Sequence, residues 1–326
     1  SSLATAATMS RVAMPSMRKF GYSDSLAAAS IAAGGTLGIL IPPSVILVIY
    51  GLMTESSIRE LFAAGFLPGL LGILLYLAAV QFVVWRRPEE GPQAERVPWP
   101  ERWAALKGVW GTVAIFVLVI GGIYGGIFTP TEAAGIGAGG AFLMAILRGV
   151  HSWRDHLEVL SHSARTSAML FSVLIGALIF SNFVNRVGLP GALLELVTGY
   201  DLSPLMVLFV ILLIYIVLGC IFESLSMLLL TIPIFYPVVQ GLGYAGMSGE
   251  QMLVWFGIIS VVVTEISLIT PPVGLNVFVL SAVLPDVSTV TVFKGVTPFW
   301  CVDIIRLLIL VLAPGYVLLL PNLLYH

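Results

Sequence analysis

Read for its apolar and polar positions, the chain is a succession of long apolar runs separated by short polar turns. A helix needs ~20 residues to cross the hydrocarbon of a bilayer. Runs that read as crossings lie at 61–85, 104–124, 133–147, 167–184, 205–222, 252–269 and 302–320. An eighth, 26–53, is interrupted by "GGTLGILIPPS", residues 34–44. Pro42 and Pro43 lack backbone donors and the glycines leave helical dihedrals freely, so carbonyls in the gap lose their intrahelical partners. In hydrocarbon each such group costs several kcal/mol. The same parts recur in "LITPPVGLN", residues 268–276. Thr36 in the first gap, and Thr270 and Asn276 in the second, add side-chain oxygens to the bare carbonyls, and oxygens are what a hard cation such as Na⁺ takes as ligands. A proline kink satisfied by neighbouring helices is the competing reading of either gap alone; two gaps in register favour a site.

The register comes from an internal repeat. Sliding the chain by 222 residues sets Ser2, Pro15, Gly21 and Tyr22 on Ser224, Pro237, Gly243 and Tyr244. A slide of 229 sets Pro42-Pro43 on Pro271-Pro272, and one of 230 sets Gly65 and Pro68 on Gly295 and Pro298. "MRKFGY" in the first copy is basic where its counterpart "VVQGLGY" is not, which places the two on opposite sides of the membrane and makes the repeat inverted. Inverted repeats with helices interrupted at matching positions are the pattern of secondary transporters, whose site lies near mid-membrane. The stretch 205–237 is too long for one crossing, and it carries "GCIFESLS", residues 219–226, in its middle. Polar residues at that depth predict a re-entrant hairpin over 204–237. "SSLATAAT", residues 1–8, reads as the tip and outgoing arm of the matching hairpin, with small-residue helix packing as the competing reading. Half-helix N-termini at such tips carry partial positive charge that suits an anionic group. The chain opens in mid-pattern, so a piece lacking its N-terminal helices is expected. Residues 1–85 are read as the first repeat and 86–103 as a cytoplasmic linker. Residues 104–326 form the second repeat, with scaffold helices over 104–187, an interfacial helix at 151–166, the hairpin at 204–237, a broken helix at 249–284 and a final helix at 301–322.

Composition agrees with a polytopic all-α membrane protein: 59% of residues are hydrophobic and 10% charged. A net charge of −2 points to no nucleic-acid surface. With two hairpins counted, every Lys and Arg, Arg306 included, falls on one side except Arg59 and Arg186, and by the positive-inside rule that side is cytoplasmic. His151, His156 and His162 do not share a face and read as solvated surface rather than a metal cluster. Cys220 and Cys301 read as small buried hydrophobes. Glu265, in an apolar helix, should face the bundle interior, either helping to balance a cation or as a paired structural carboxylate. Glu132, with Thr129 or Thr131 before it, reads as part of a helix cap. No nucleophile–base cluster or phosphate loop is present, which argues against an enzyme.

Together "SSLATAATMSRVAMPSMRKFGY", "AAGGTLGILIPPS", "GGIFTPTEAAGIGA" and "EISLITPPVGLNVFV" resemble the large membrane subunit of the TRAP (tripartite ATP-independent periplasmic) transporters, over essentially the whole chain. The resemblance implies an inverted-repeat, elevator-type carrier of the ion-transporter-superfamily kind in the bacterial inner membrane, driven by a Na⁺ gradient. It implies a periplasmic substrate-binding protein and a small four-helix membrane subunit as partners, and organic acids such as C4-dicarboxylates, keto acids or sialic acids as substrates. Na⁺ is then expected where each hairpin tip meets the broken helix of its own repeat. That carries over to Ser2, Gly35, Thr36 and Gly38 in one half, and to Gly219, Ser224, Thr270, Pro271, Val273 and Gly274 in the other. The substrate is expected at Ser1, Ser2, Pro43, Glu223, Ser226, Pro272 and Asn276. Glu223 is a departure, since the family often carries Asp there and a longer side chain alters the ligand geometry. The alternatives are a carrier of the same architecture working without a binding protein, and a non-transporting assembly subunit.

Overall fold

A computed structural model describes residues 2–93, 96–149 and 152–325; Ser1 and His151 lie outside the described residues. Fourteen α-helices and one 3₁₀ turn, Pro88–Glu90, account for the regular structure, with no strand among the described residues. Before the linker come α1 (Ser2–Lys19), α2 (Asp24–Leu37), α3 (Val45–Thr54) and α4 (Ile58–Arg86). After it come α5 (Trp99–Tyr124), α6 (Pro130–Leu147), α7 (Trp153–Arg186) and α8 (Leu189–Gly199). The rest is α9 (Pro204–Gly219), α10 (Ser224–Leu242), α11 (Gly249–Ser267), α12 (Leu275–Val283), α13 (Thr289–Leu312) and α14 (Pro314–Tyr325). Among the described residues, seven of these (α4, α5, α6, α7, α10, α11 and α13) are long and apolar enough to cross a membrane.

Helix starts follow local chemistry. Ser23, Ser44, Ser57, Thr129, Ser203, Ser248 and Ser288 each accept a first-turn backbone N–H at an N-cap, satisfying a donor that has no intrahelical partner. Glu132 does close a capping box with Thr129, its Oε2 accepting from the Thr129 N–H at 2.8 Å. Two expected boundaries differ. The interfacial helix at 151–166 is not a separate element, because α7 runs unbroken for 34 residues. Its Thr166 and Ser172 bond back to the carbonyls of His162 and Ala168, so neither hydroxyl is free to cap a new start. The final helix expected at 301–322 is instead two: α13 begins twelve residues earlier behind the Ser288 cap, and Pro314 ends it by withholding a donor and restricting Ala313.

The chain divides into two compact units, Ser1–Gln93 with Ala177–His326, and Ala94–Gly176. One boundary falls within the linker, but the chain after Gly176 belongs with the first 93 residues rather than to a separate second half. In the larger unit the repeats interleave: α2 lies on α13, α1 on α12, and α10 on α3. In the smaller unit α5 lies on α6, close enough that a Cβ on Gly111 would sit 2.3 Å from Met144 Sδ. His156 sets its ring edge-on to Phe142, centroids 4.6 Å apart, whereas His162 is exposed. No metal-ligating cluster of His, Cys, Asp or Glu occurs among the described residues.

Lipid is as apolar as these side chains, so helix association rests on close approach and interhelical hydrogen bonds rather than on transfer from water. The larger unit is built accordingly. In α2, Ala27, Ala28, Ala29, Ala32 and Ala33 are fully buried. Helix α11 is enclosed along its length, with Trp255 Nε1 donating to Leu310 O at 3.0 Å and Tyr50 Oη to Leu253 O at 2.7 Å. At one end Arg18 bonds both Asp24 and Asp286, tying α1 to the loop before α13. The Arg18 guanidinium holds the Asp286 carboxyl below the usual carboxylate range.

The α2–α13 seam is tightest at Gly295, where a Cβ would lie 2.4 Å from Ser25 O and 2.8 Å from Ala29 Cβ. Gly295→Ala must part the two backbones and is expected to lower the thermal unfolding midpoint of the purified protein, at about 1–3 kcal/mol. Gly176→Ala, which meets open space in α7, should leave the midpoint unchanged or raise it slightly.

Candidate functional site

The first break runs from Gly38 to Ser44 and contains a cis Pro42–Pro43 bond. Ile39 and Leu40 donate back to the carbonyls of Thr36 (3.0 Å) and Leu37 (3.2 Å), and Ser44 Oγ donates to Ile39 O across the gap. Among the described residues no backbone N–H reaches the carbonyls of Gly38, Leu40 or Ile41. The second break runs from Leu268 to Gly274, with a cis Pro271–Pro272 bond and Gly274 at φ 55°. Asn276 N–H spans it to Leu268 O at 3.1 Å, and among the described residues the carbonyls of Ile269, Pro272 and Val273 receive no backbone N–H. Neither break is a bent continuous helix, so the kink reading fails at both.

The threonines are turned alike. Thr36 Oγ1 donates to Ala33 O at 2.7 Å and Thr270 Oγ1 to Ile266 O at 2.6 Å. A hydroxyl that gives its proton to its own helix presents lone pairs elsewhere, the polarity a cation requires. Those oxygens also meet side chains that the sequence reading did not single out: Tyr76 Oη lies 3.3 Å from Thr36, and Trp300 Nε1 donates to Thr270 at 2.9 Å.

Each hairpin meets the broken helix of its own repeat. Gly35 faces α1, where a Cβ would lie 3.4 Å from Ala6 Cβ and 3.5 Å from Ser2 O. Gly219 faces Ser267, whose Oγ would be 2.0 Å from a Cβ there, and Cys220 Sγ lies 3.8 Å from Thr270 O. Asn276 crosses between repeats. Its Nδ2 donates to Ser2 Oγ at 2.7 Å and to Ala32 O at 3.0 Å. Ser2, Gly35 and Asn276 thus form one cluster, while Gly219 and Thr270 gather around Ser267 and Cys220. The candidate residues divide by exposure. Ser2, Gly35, Thr36, Gly219, Ser224, Thr270, Gly274 and Asn276 are buried, Val273 and Ser226 half-buried, and Gly38, Pro43, Glu223, Pro271 and Pro272 exposed.

Glu223 is the N-cap of α10, its Oε2 accepting from the N–H groups of Leu225 (3.0 Å) and Ser226 (3.3 Å). The half-helix N-terminus expected to receive an anionic group already holds a carboxylate of the chain itself. Three further placements correct or complete the reading. Glu265 is fully buried and paired, its Oε2 2.5 Å from Arg306 Nη2. Arg306 is accordingly not a cytoplasmic charge but has no exposure at all, and Asp303, one turn before it, completes a buried triad. Cys301 is exposed rather than buried. An Asp and an Arg three residues apart in an apolar run were the signal for this triad.

Residues 1–316 match the family described as "Tripartite ATP-independent periplasmic transporter, DctM component". The chain is similar to the C4-dicarboxylate TRAP transporter large permease protein DctM of Pseudomonas aeruginosa, 36% identical over 326 residues, which are 99% of this chain and 73% of that protein. It is similar also to the sialic acid TRAP transporter large permease protein SiaM of Vibrio cholerae, at 34% over 99% and 74% of the two. The ectoine TRAP transporter large permease protein TeaC of Halomonas elongata is 30% identical over 100% and 74%.

Asn276→Ala removes the donor to both Ser2 and Ala32 in a site closed to solvent. It is expected to destabilise the protein by about 1–3 kcal/mol, read as a lower thermal unfolding midpoint, with Ser2→Ala losing less because the Ala32 bond survives.

Proposed function

Because the chain belongs to the tripartite ATP-independent periplasmic transporter family as a DctM component, we propose that it performs Na⁺-coupled uptake of a small organic acid delivered by a periplasmic substrate-binding protein. It is a transporter rather than an enzyme, and a multi-pass protein of the bacterial inner membrane. A small four-helix membrane subunit is its proposed partner in the bilayer. Relatives named for C4-dicarboxylate and sialic acid support an organic acid as substrate.

One observation carries the ion-coupled reading: two breaks at matching places in the repeat, each with carbonyls lacking backbone donors, a Thr hydroxyl turned to leave lone pairs, and its own hairpin against it. A carbonyl without a donor at this depth costs several kcal/mol unless water or a cation meets it. Na⁺ is proposed at Ser2, Gly35, Thr36 and Gly38, and at Gly219, Ser224, Thr270, Pro271, Val273 and Gly274. An ion at either place draws hairpin and broken helix together and orders the exposed Pro43, Pro272 and Glu223 and the half-buried Ser226 for the substrate, so ion and acid bind cooperatively. Glu223 must release the α10 N-terminus before a substrate carboxylate can use those amides. Release from the membrane's other side is proposed to follow an elevator movement of hairpins and broken helices.

In proteoliposomes holding the natural membrane assembly and its loaded binding protein, an inward Na⁺ gradient is expected to drive uptake and a choline gradient is not. Thr36→Val and Thr270→Val, isosteric but without the oxygen, should each raise the half-saturating Na⁺ concentration about ten-fold. Wild-type half-saturation in both variants would remove the proposed ion sites. Uptake of free acid without the binding protein would remove the tripartite reading.

A further inference from the structure

The buried triad belongs to a longer polar chain that joins the two breaks. Arg306, on α13, has no exposure, and its Nη2 lies 2.5 Å from Glu265 Oε2 on α11 and 3.0 Å from Asp303 Oδ1. Asp303 Oδ2 accepts from Tyr76 Oη on α4 at 2.5 Å, so across the 3.3 Å between that Oη and Thr36 Oγ1 the threonine donates, sharing its proton with Ala33 O. Thr36 stands just before the first break. Glu265 stands just before the second.

The chain respects the repeat. The slide of 229 that superposes the Pro-Pro pairs sets Thr36 on Glu265, and the slide of 230 that superposes Gly65 and Pro68 on Gly295 and Pro298 sets Tyr76 on Arg306. Each repeat therefore sends one polar side chain from its long helix to the last turn before its own break, Tyr76 to Thr36 and Arg306 to Glu265. The chemistry at equivalent positions differs, and Asp303 bridges the two halves. Room for the guanidinium is made by Gly72, where a Cβ would lie 2.2 Å from Arg306 Nη1.

Stability alone is a poor reason for this arrangement. Burying a charged triad costs several kcal/mol per ion, and well-packed apolar side chains of similar volume serve a core as well or better. Among the described residues Arg306 Nε and Nη1 have no hydrogen-bond partner, so the guanidinium is held by the carboxylates on one edge only. What polar contacts supply and apolar ones do not is a fixed direction, here between the last turns of two interrupted helices.

We propose that Tyr76 and Arg306 are positioning residues, one for each repeat, that act through Asp303 to hold the two breaks in one mutual arrangement, so that Na⁺ binding at one depends on the geometry of the other. The inference rests on the Na⁺ reading above. Tyr76 touches no ion in this scheme; it acts through Thr36. Its ring sits edge-on to Phe299, centroids 5.4 Å apart, so Tyr76→Phe removes the hydroxyl and keeps the packing.

The test is a Na⁺ titration of the full natural assembly in detergent, against choline chloride at constant ionic strength, following ²²Na⁺ binding and the thermal unfolding midpoint. Tyr76→Phe is expected to raise half-saturating Na⁺ about five-fold and to lower the cooperativity of binding, beside the lower Na⁺-free midpoint that an unpaired Asp303 Oδ2 brings. A lowered Na⁺-free midpoint with half-saturation and cooperativity as in the parent protein would overturn the proposal, because that is what a purely structural hydroxyl does. If Tyr76→Phe does not fold, the isosteric Asp303→Asn is judged by the same criterion; failure of both to fold would make the network structural and overturn it too. Thr36→Val separates the two readings. If it weakens Na⁺ binding while Tyr76→Phe does not, the positioning role fails alone; if neither it nor the parent responds to Na⁺, the ion site fails and the positioning role with it.

Discussion

In a bilayer core no water waits to receive a backbone carbonyl, and a chain that leaves the helix there must supply partners of its own. Both interrupted helices meet this constraint only in part. Ser44 reaches back to Ile39, and the Asn276 N–H spans the second gap to Leu268. The prolines withhold the donors that would have closed the remaining bonds. What surrounds each gap is arranged around that shortfall: a hairpin presses against it, a glycine on one partner lets the backbones approach, and a threonine turns its proton away. The proposed ion is the component that completes the set.

Packing has to work without the usual driving force, since side chains leaving lipid for protein gain little by transfer. The larger unit answers with small residues where helices cross and with hydrogen bonds that run between helices. The alanine face of α2, Gly295 against Ser25, and Gly219 against Ser267 are of the first kind. Trp255 to Leu310, Tyr50 to Leu253 and the Tyr76–Asp303–Arg306–Glu265 chain are of the second. Such contacts have direction, and a sub-ångström shift at one end is felt at the other because close-packed interiors deform little. Helices α2 and α11, which run into the two breaks, are among those joined in this way. The exposed Pro43, Pro272 and Glu223 carry no such cross-links to other elements among the described residues.

Much of this was legible in the one-dimensional pattern. Pro-Pro after a glycine-rich turn in an apolar run marks a break because two donors vanish at once, and a polar "GCIFESLS" in mid-run marks a hairpin because polar groups at that depth need a cavity or a partner. The cap at Glu132 follows from short-range chemistry. Misjudged were features that depend on what does not happen locally. Nothing in 151–170 stops a helix, so α7 continues through an amphipathic stretch that looks interfacial; one proline after Ala313 was enough to divide the last run. Arg306 was assigned to solvent because charge alone favours water, and only its neighbours reverse that.

The sequence by itself determined that the chain is a polytopic helical membrane protein with an inverted repeat, and where both helices break, because periodicity, missing donors and hydrocarbon thickness act on each segment separately. The tertiary structure alone decided who meets whom: Asn276 of one repeat with Ser2 of the other, Trp300 with Thr270, and Arg306 with Glu265 and Asp303 through the gap left by Gly72. Those partnerships depend on how helices cross. Crossing is set by the shape of many side chains at once, which no single stretch of sequence encodes.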